Sequence, residues 1–283
     1  MVKQKVVVAT DSGANLPSAL VKKYNIAVIP LWIHFGNQAY RDGIDIRPRE
    51  FFRRLRERVH RVRTSQPSLG EFLQFYRRLR ERAEAIVSVH ITGRYSGVVS
   101  VARAAAAEMA PFPVEVVDTG TISMAQGFVA LAAARLAAAG ASLADVAARA
   151  RALASKIDLI AVVDSLEYAV RGGRMAWAAR LVDNLLHVKP MVRVRGNEVG
   201  IIGQARTRAK AIRHLLSEVA KRVGDAPLHI AVLYSGSLEE AKRVREEVVR
   251  RFRCAEVYLL PVAPALGVHA GPDALGLAFY AEE

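Results

Sequence analysis

Residues 85–109 read AIVSVHITGRYSGVVSVARAAAAEM, and this stretch decides the fold class. Residues 85–91 are an apolar, β-branched run that reads as a strand. Residues 92–96 are polar and form a loop. From Gly97 an Ala-rich run continues to Met109, long enough for three turns of helix. The same unit follows at once. Residues 114–117 read as a strand that ends at Asp118-Thr119-Gly120-Thr121, and residues 125–139 form an Ala-rich helix stopped by Gly140. Ser142 with Asp145 resembles a capping box before a further helix over 143–155.

Toward the N-terminus the rhythm is the same. Residues 6–9 predict a strand ending at Thr10-Asp11-Ser12-Gly13, and residues 17–24 a helix. Residues 26–35 are a second apolar run. Over 48–58, Phe51, Phe52, Leu55 and Val59 share one face at helical spacing, and Pro48 suits a first helical position. Ser68 and Glu71 form a capping box for a helix through Leu73, Phe75, Tyr76 and Leu79. Repeated β-α units predict an α/β fold with a mostly parallel, helix-covered sheet.

After residue 158 the pattern changes. Residues 159–163 read as a strand, and 165–180 as helical or mixed, interrupted by Gly172-Gly173. Residues 190–194 and 199–202 flank Arg195-Gly196-Asn197-Glu198, which predicts a hairpin. Helices follow at 208–223 and 238–252, the second capped by Ser237 and Glu240, with strands at 230–233 and 257–260. The latter is the last strand that the pattern predicts. Hairpin plus helices predicts an α+β arrangement. A chain of 283 residues has the length of two domains. The expected division is 1–158, an N-terminal α/β domain, and 159–283, a C-terminal α+β domain.

Composition narrows the function. Apolar residues make up 52% of the chain, so wholesale disorder is excluded. No run approaches the ~18–20 apolar residues of a membrane span. The start, MVKQKVVVATDSG, has no small-residue cleavage site, so no signal peptide is expected and a cytoplasmic location is. A single cysteine, Cys254, excludes an intrachain disulfide and a Cys-rich zinc site. The net charge is +14, concentrated in residues 47–63 and 171–213. Such patches suit nucleic acid, phosphate-bearing ligands or an acidic protein partner, or they solvate helix faces. No sequence signature of a common nucleic-acid module is present, and nucleic acid is not an expected partner.

Several catalytic motifs are missing. There is no GxxxxGK[ST], no GxGxxG after a strand and no HExxH, and the seven histidines lack metal-ligand spacing. Ser96 lies in Gly93-Arg94-Tyr95-Ser96-Gly97, which is not a GxSxG elbow. A free-standing esterase using Ser96, His269 and an aspartate is therefore an alternative with little support, as is a basic nucleic-acid-associated protein. Ligands in open α/β sheets gather at the carboxyl ends of strands. Four polar loops read as occupying such places: 10–12, 64–68, 92–97 and 118–121. Ser96-Gly97 stands where a helix begins and offers free N–H groups to a carboxylate or phosphate, or Ser96 simply caps the helix. Asp11 is read as a turn former or as a catalytic carboxylate.

Eight segments stand in this order along the chain: Thr10-Asp11-Ser12-Gly13-Ala14-Asn15-Leu16-Pro17; Tyr40-Arg41-Asp42-Gly43-Ile44-Asp45-Ile46; Thr64-Ser65-Gln66-Pro67-Ser68-Leu69-Gly70-Glu71-Phe72; residues 91–97; Gly172-Gly173-Arg174-Met175; Lys189-Pro190; Arg206-Thr207-Arg208-Ala209-Lys210-Ala211; and Gly267-Val268-His269-Ala270-Gly271-Pro272. This ordered set resembles the DegV family over nearly the whole chain. The resemblance implies a two-domain α/β protein holding one long-chain fatty acid between its domains. It implies the lipid-carrying subunit of a bacterial fatty acid kinase, with no cofactor and no ATP site of its own. A separate ATP-binding kinase subunit then phosphorylates the carboxylate, and the acyl phosphate feeds phospholipid synthesis. By resemblance, Thr64 and Ser96 hold the carboxylate, with Ser65 and Gly97 beside them. Arg174 and His269 lie near the head group, and Arg206 supports phosphoryl transfer or kinase contact. Two positions depart from the family pattern: Val98 stands where a Thr is frequent, and Asp273 where a Gly is usual.

Overall fold

The computed structural model describes residues 3–57, 62–175, 179 and 188–282. Its N-terminal part contains a parallel sheet of β1 (Val7–Asp11), β2 (Ala27–Ile29), β6 (Ile86–His90) and β7 (Val114–Asp118), in the order β2-β1-β6-β7. A small antiparallel sheet is built from β3 (Trp32–Phe35), β4 (Gln38–Arg41) and β5 (Val62–Ser65), with β3 in the centre. The apolar run 26–35 is thus two strands in two sheets. Pro30, which lacks an N–H for either ladder, separates them. Thr64 also lies elsewhere than expected: it is in antiparallel β5, opposite Ile33, and not in a loop after a parallel strand.

Helices α1 (Ser18–Lys23), α2 (Pro48–Glu57), α3 (Leu69–Arg80), α4 (Val98–Glu108), α5 (Ser123–Ala138) and α6 (Leu143–Ala154) complete this part. Phe51, Phe52 and Leu55 of α2 are buried, while Val59 lies outside the described residues. The capping box of Ser68 and Glu71 forms, and Ser142 caps α6. α5 is apolar on every side, and its first twelve residues are all buried. A helix without a polar face belongs inside the protein. It packs on β1 and β6 and also on β13 (Leu275–Ala281) of the other sheet, so it stands between the two sheets.

The C-terminal part is a mixed sheet of β8 (Asp158–Val162), β9 (Lys189–Arg195), β10 (Glu198–Ala205), β11 (Leu228–Tyr234), β12 (Cys254–Pro261) and β13, in the order β10-β9-β8-β13-β11-β12. Only the β11–β12 pair is parallel. The predicted hairpin is β9–β10, turning at Gly196 and Asn197, both at positive φ (58° and 68°). A two-residue turn with two positive φ values matches the twist of its strands and favours Gly and Asn. β13 corrects the expectation that 257–260 was the last strand. It is buried along most of its length, with Gly276, Ala278 and Ala281 among its residues, so neither alternation nor β propensity marks it.

Alternation within this sheet divides its two faces. Ile160, Val162, Ile230, Val232, Leu275, Leu277 and Phe279 share a core with Leu215, Leu216 and Val219 of α8 (Arg208–Val223) and Val244 and Val248 of α9 (Leu238–Arg251). Leu159, Ala231, Leu233, Ala278 and Tyr280 join the core of the N-terminal part. Fully burying one such large side chain contributes roughly 1.5–3 kcal/mol before entropy is counted. Two short helices complete the junction. α7 (Glu167–Arg171) ends at Gly172, and α10 (Pro264–Ala270) packs on α7, α2, β3 and β5. Residues 176–178 and 180, in the region expected to be helical or mixed, lie outside the described residues. Among the described residues, no helix is long and apolar enough to cross a membrane.

Candidate ligand site

A cavity lies between the inner face of the mixed sheet and the N-terminal part. Leu159, Ala161, Val163, Leu233 and Gly276 form its wall on the sheet side. Val192, Val194 and Val199 of the hairpin, Leu166 and Ala169 of the α7 region, and Ala265 and Leu266 of α10 enclose it further, with Leu31, Ile91 and Ile122 opposite. Gly276 pairs with Ala161 on one side and Leu233 on the other, so two small residues, Gly276 and Ala161, sit side by side where the sheet faces the cavity.

The polar lining is confined to Thr64, Ser65, Gln66, Tyr95, Ser96, Ser123, Ser165, Arg174 and His269. Five residues singled out in the sequence therefore meet at one cavity: Thr64, Ser65, Ser96, Arg174 and His269. They come from β5, the loop 92–97, the end of α7 and α10. Gly97 and Arg206 do not line it. Gly97 directly precedes α4, and a Cβ there would come within 3.1 Å of the Gln66 side chain, which would have to shift to admit it. Arg206 is exposed, between β10 and α8. Gln66, Tyr95, Ser123 and Ser165 line the cavity without having been assigned a role from the sequence.

Thr64 Oγ1 lies 3.0 Å from His269 Nε2. Burial, aided by the Arg174 charge, pushes the His269 imidazole down to about 3, so the ring is neutral at pH 7. Its Nδ1 has no hydrogen-bond partner. A neutral ring with the proton on Nε2 donates to Thr64 and leaves the Thr64 O–H free to point into the cavity. Ser96 is similar: its Oγ accepts from the Val98 amide at 3.4 Å, and its O–H remains available. Gly97 already has helical backbone and makes no side-chain bond, and Val98 opens α4, so Ser96 also caps the helix through this bond, and the capping and ligand readings coexist. Ser65 Oγ is 2.9 Å from His34 Nε2.

Arg174 donates through Nη1 to the Gly172 carbonyl at 2.8 Å. Burial lowers its guanidinium below the usual value. Among the described residues no carboxylate pairs with it. A half-buried cation beside free hydroxyls, at an apolar cavity, suits an elongated apolar molecule that ends in an anion. The site does not suit ester hydrolysis. His269 pairs with Thr64 and not with Ser96, no carboxylate among the described residues orients its Nδ1, and an imidazole pushed down to about 3 is a weak base at pH 7. Among the described residues no group of His, Cys, Asp and Glu is placed to hold a metal ion.

The loops around the site are laced together. The Asp118 carboxylate accepts from the Gly93 amide (3.1 Å) and the Gly120 amide (2.9 Å), and the Thr92 amide bonds the Thr121 carbonyl (2.9 Å). The hairpin tip closes on them: Asn197 N–H donates to Gly120 O (2.9 Å), and Thr92 Oγ1 donates to Asn197 Oδ1 (2.5 Å). Asp11 is a turn former, accepting from Gly13 N–H at 2.9 Å. It also ends a buried chain. Tyr76 O–H donates to Ser88 (3.0 Å), Ser88 lies 2.7 Å from His90 Nε2, and His90 Nδ1 lies 2.9 Å from Asp11. Ser88, His90 and Asp11 have the spacing of a hydrolytic triad, but each is 0% exposed, and none lines the cavity. They are structural.

Asp42 is buried near the start of α10. Its Oδ2 accepts from Ser12 at 2.8 Å, and its Oδ1 has no partner. Burial pushes its carboxyl up to about 7, against the pull of the Ser12 hydroxyl and the Ala265 amide. A raised acid favours the folded state only while it keeps its proton. This contribution is full below about pH 4, is lost as pH rises toward about 7, and is constant beyond. Asp42→Asn is therefore expected to gain stability over the wild type progressively between pH 4 and 7. Urea midpoints at pH 4, 5.5 and 8 check this, and a gain independent of pH contradicts it.

Fold and cavity together define a three-sheet α/β protein with an apolar cavity ended by hydroxyls and a cation. The family model described as "Uncharacterised protein, DegV family" matches residues 5–282, and the chain belongs to the DegV family. A DegV domain-containing protein of Streptomyces coelicolor is 36% identical over 274 residues, 96% of this chain and 97% of the relative. Protein DegV of Bacillus subtilis is 31% identical, over 96% of this chain and 98% of its own length. A DegV family protein of Thermus thermophilus, described as binding fatty acid, superposes with a TM-score of 0.91 at 32% identity, over 98% of this chain and 100% of that one. The structure of Bacillus subtilis DegV, described as a fatty acid binding protein, gives a TM-score of 0.90 at 28% identity, over 99% and 100%.

Proposed function

We propose that this protein binds one long-chain fatty acid in the cavity between the mixed sheet and the N-terminal part, with Thr64 and Ser96 donating to the carboxylate. The observation that carries the reading is the composition of the cavity. Aliphatic side chains from both parts of the chain line it, and Thr64, Ser96 and Arg174, which pairs with no carboxylate among the described residues, share one lining. Arg174 supplies the counter-charge, and His269 orients the Thr64 hydroxyl. The domain division that accompanies this reading is 1–158 and 159–283, with the parallel sheet in the first and nearly all of the mixed sheet in the second. Burying each methylene contributes roughly 0.8 kcal/mol, so a tail of about 16 carbons gains on the order of 12 kcal/mol before entropic costs. Such a ligand survives purification. Mass spectrometry of an organic extract is expected to find a stoichiometric C14–C18 acid. Lipid-free preparations that also refuse added oleate and palmitate contradict the reading.

The protein then acts as a carrier that presents the acid to a separate ATP-dependent kinase subunit, which makes the acyl phosphate. Arg206 supports this part of the reading. It is exposed, lies outside the cavity and opens the basic run before α8. A guanidinium there can stabilise charge on a transferred phosphoryl group or attract an acidic kinase surface. Asp273, the added carboxylate, has Arg56 within 3.4 Å, which offsets its charge. Arg206→Ala is expected to keep its lipid and lose acyl-phosphate formation with ATP, magnesium and the cognate kinase subunit. Arg206→Lys rescues only in part, since it keeps charge but not the bidentate fork. Lipid content and phosphorylation are measured on one preparation. Loss of both places Arg206 in the binding site, and loss of neither leaves it a solvated helix start.

A further inference from the structure

α5 meets the cavity in an uncommon way. Its first residue, Ser123, has φ 57°. This is the left-handed region, where a serine is strained by its Cβ. The same side chain is 3% exposed and lines the cavity, and its Oγ has no hydrogen-bond partner among the described residues. Backbone strain and an orphaned hydroxyl thus fall on one buried residue. Such costs persist where the surroundings impose them, and they collect at binding sites.

The helix that begins here is 16 residues long, and its N-cap, Ile122, makes no side-chain bond. The opening amides of a helix lack intrahelical acceptors and carry a partial positive charge. Ser123 Oγ and this helix end together offer donors and favour an anion over a neutral acceptor. The site is tied to the Ser96 loop, because the Thr92 amide holds the Thr121 carbonyl two residues before Ser123.

We propose that Ser123 is a third hydroxyl donor to the carboxylate of the bound acid, with the N-terminus of α5 adding its field. This rests on the fatty acid reading. It extends the head-group site from β5 and the 92–97 loop to the helix that joins the two sheets. The occupant that competes with it is an ordered water, which satisfies Ser123 whatever the charge of the ligand.

Ser123→Ala and Ser123→Gly test this. Glycine adopts φ 57° without the Cβ penalty, so that variant keeps the fold, which thermal melting confirms. Binding of palmitate and of hexadecan-1-ol, which has the same chain without the charge, is measured on delipidated protein. Both variants are expected to lose palmitate affinity about ten- to hundredfold, the cost of one bond to a charged group, with little change for the alcohol. Equal losses for the two ligands, or no loss in Ser123→Gly, overturn the assignment and leave a water site. A wild-type protein that binds neither ligand overturns the fatty acid reading as well.

Discussion

Replacing Thr64 and Ser96 together by alanine is expected to weaken fatty acid binding by on the order of a hundredfold or more, with the parallel and mixed sheets intact. Ser96 has its oxygen engaged by the protein and its hydrogen free, and so has Thr64 when His269 carries its proton on Nε2. Thr64 lies 3.0 Å from His269 Nε2, and Ser96 accepts from the Val98 amide at 3.4 Å. A hydroxyl held in this way is aimed at an acceptor before the ligand arrives, so little ordering is left for the binding step. Losing one hydrogen bond to a charged group costs about 1.5–3 kcal/mol, or roughly ten- to hundredfold in affinity. The two losses share one ligand group and need not add. Thr64→Ser is the control, since it keeps the hydroxyl and removes a methyl. Thr64→Val tests shape without a donor, and it also leaves His269 Nε2 unpaired. Titration of delipidated protein with palmitate measures the effect. A double variant that binds as the wild type does removes Thr64 and Ser96 from the site.

Much of the fold was legible because its signals are local. Ser68 with Glu71, Ser142 with Asp145, and Ser237 with Glu240 each mark a helix start within four residues, and all three caps form. The turn at Gly196-Asn197 is equally local. What escaped depends on partners distant in sequence. β13 is central in its sheet and buried on both faces, so its residues carry no alternation. Thr64 joins an antiparallel strand because it pairs with Ile33, which no local pattern shows. At the site, single residues were ambiguous: Ser96 read as a cap and Asp11 as a possible base. The ordered DegV segments supplied what spacing did not, and Thr64, Ser65, Ser96, Arg174 and His269 do line one cavity. Ser123 was not legible. A serine before an Ala-rich helix reads as a cap, and its left-handed backbone and unpaired hydroxyl exist only in the folded chain.

Asp11→Ala is expected to be the most damaging single substitution for stability, at about 3–5 kcal/mol, because several buried donors lose one shared acceptor at about 1–3 kcal/mol each. The Asp11 carboxylate is 0% exposed and accepts from Gly13 N–H (2.9 Å), Ile91 N–H (3.0 Å) and Gln126 Nε2 (3.1 Å), with His90 Nδ1 at 2.9 Å. Removing it leaves these donors without their acceptor in an interior closed to water. The damage also spreads along the chain from His90 to Ser88 and Tyr76, because each group fixes the direction of the next proton. Proteins of this kind are stable by only about 5–15 kcal/mol, so such a loss is a large fraction of the whole. Asp11→Asn keeps the shape and one acceptor and is expected to fall between the two. Urea denaturation measures this as a lower midpoint at unchanged slope. Asp11 also holds the Ile91 amide at the root of the loop that carries Ser96. The folded fraction of Asp11→Asn is therefore expected to bind fatty acid more weakly than the wild type, although Asp11 does not line the cavity. A stability loss below about 1 kcal/mol in Asp11→Ala contradicts the network's structural role, because orphaning even one buried donor costs about that much. A stable Asp11→Asn with wild-type affinity separates the network from the site and leaves it to the fold alone.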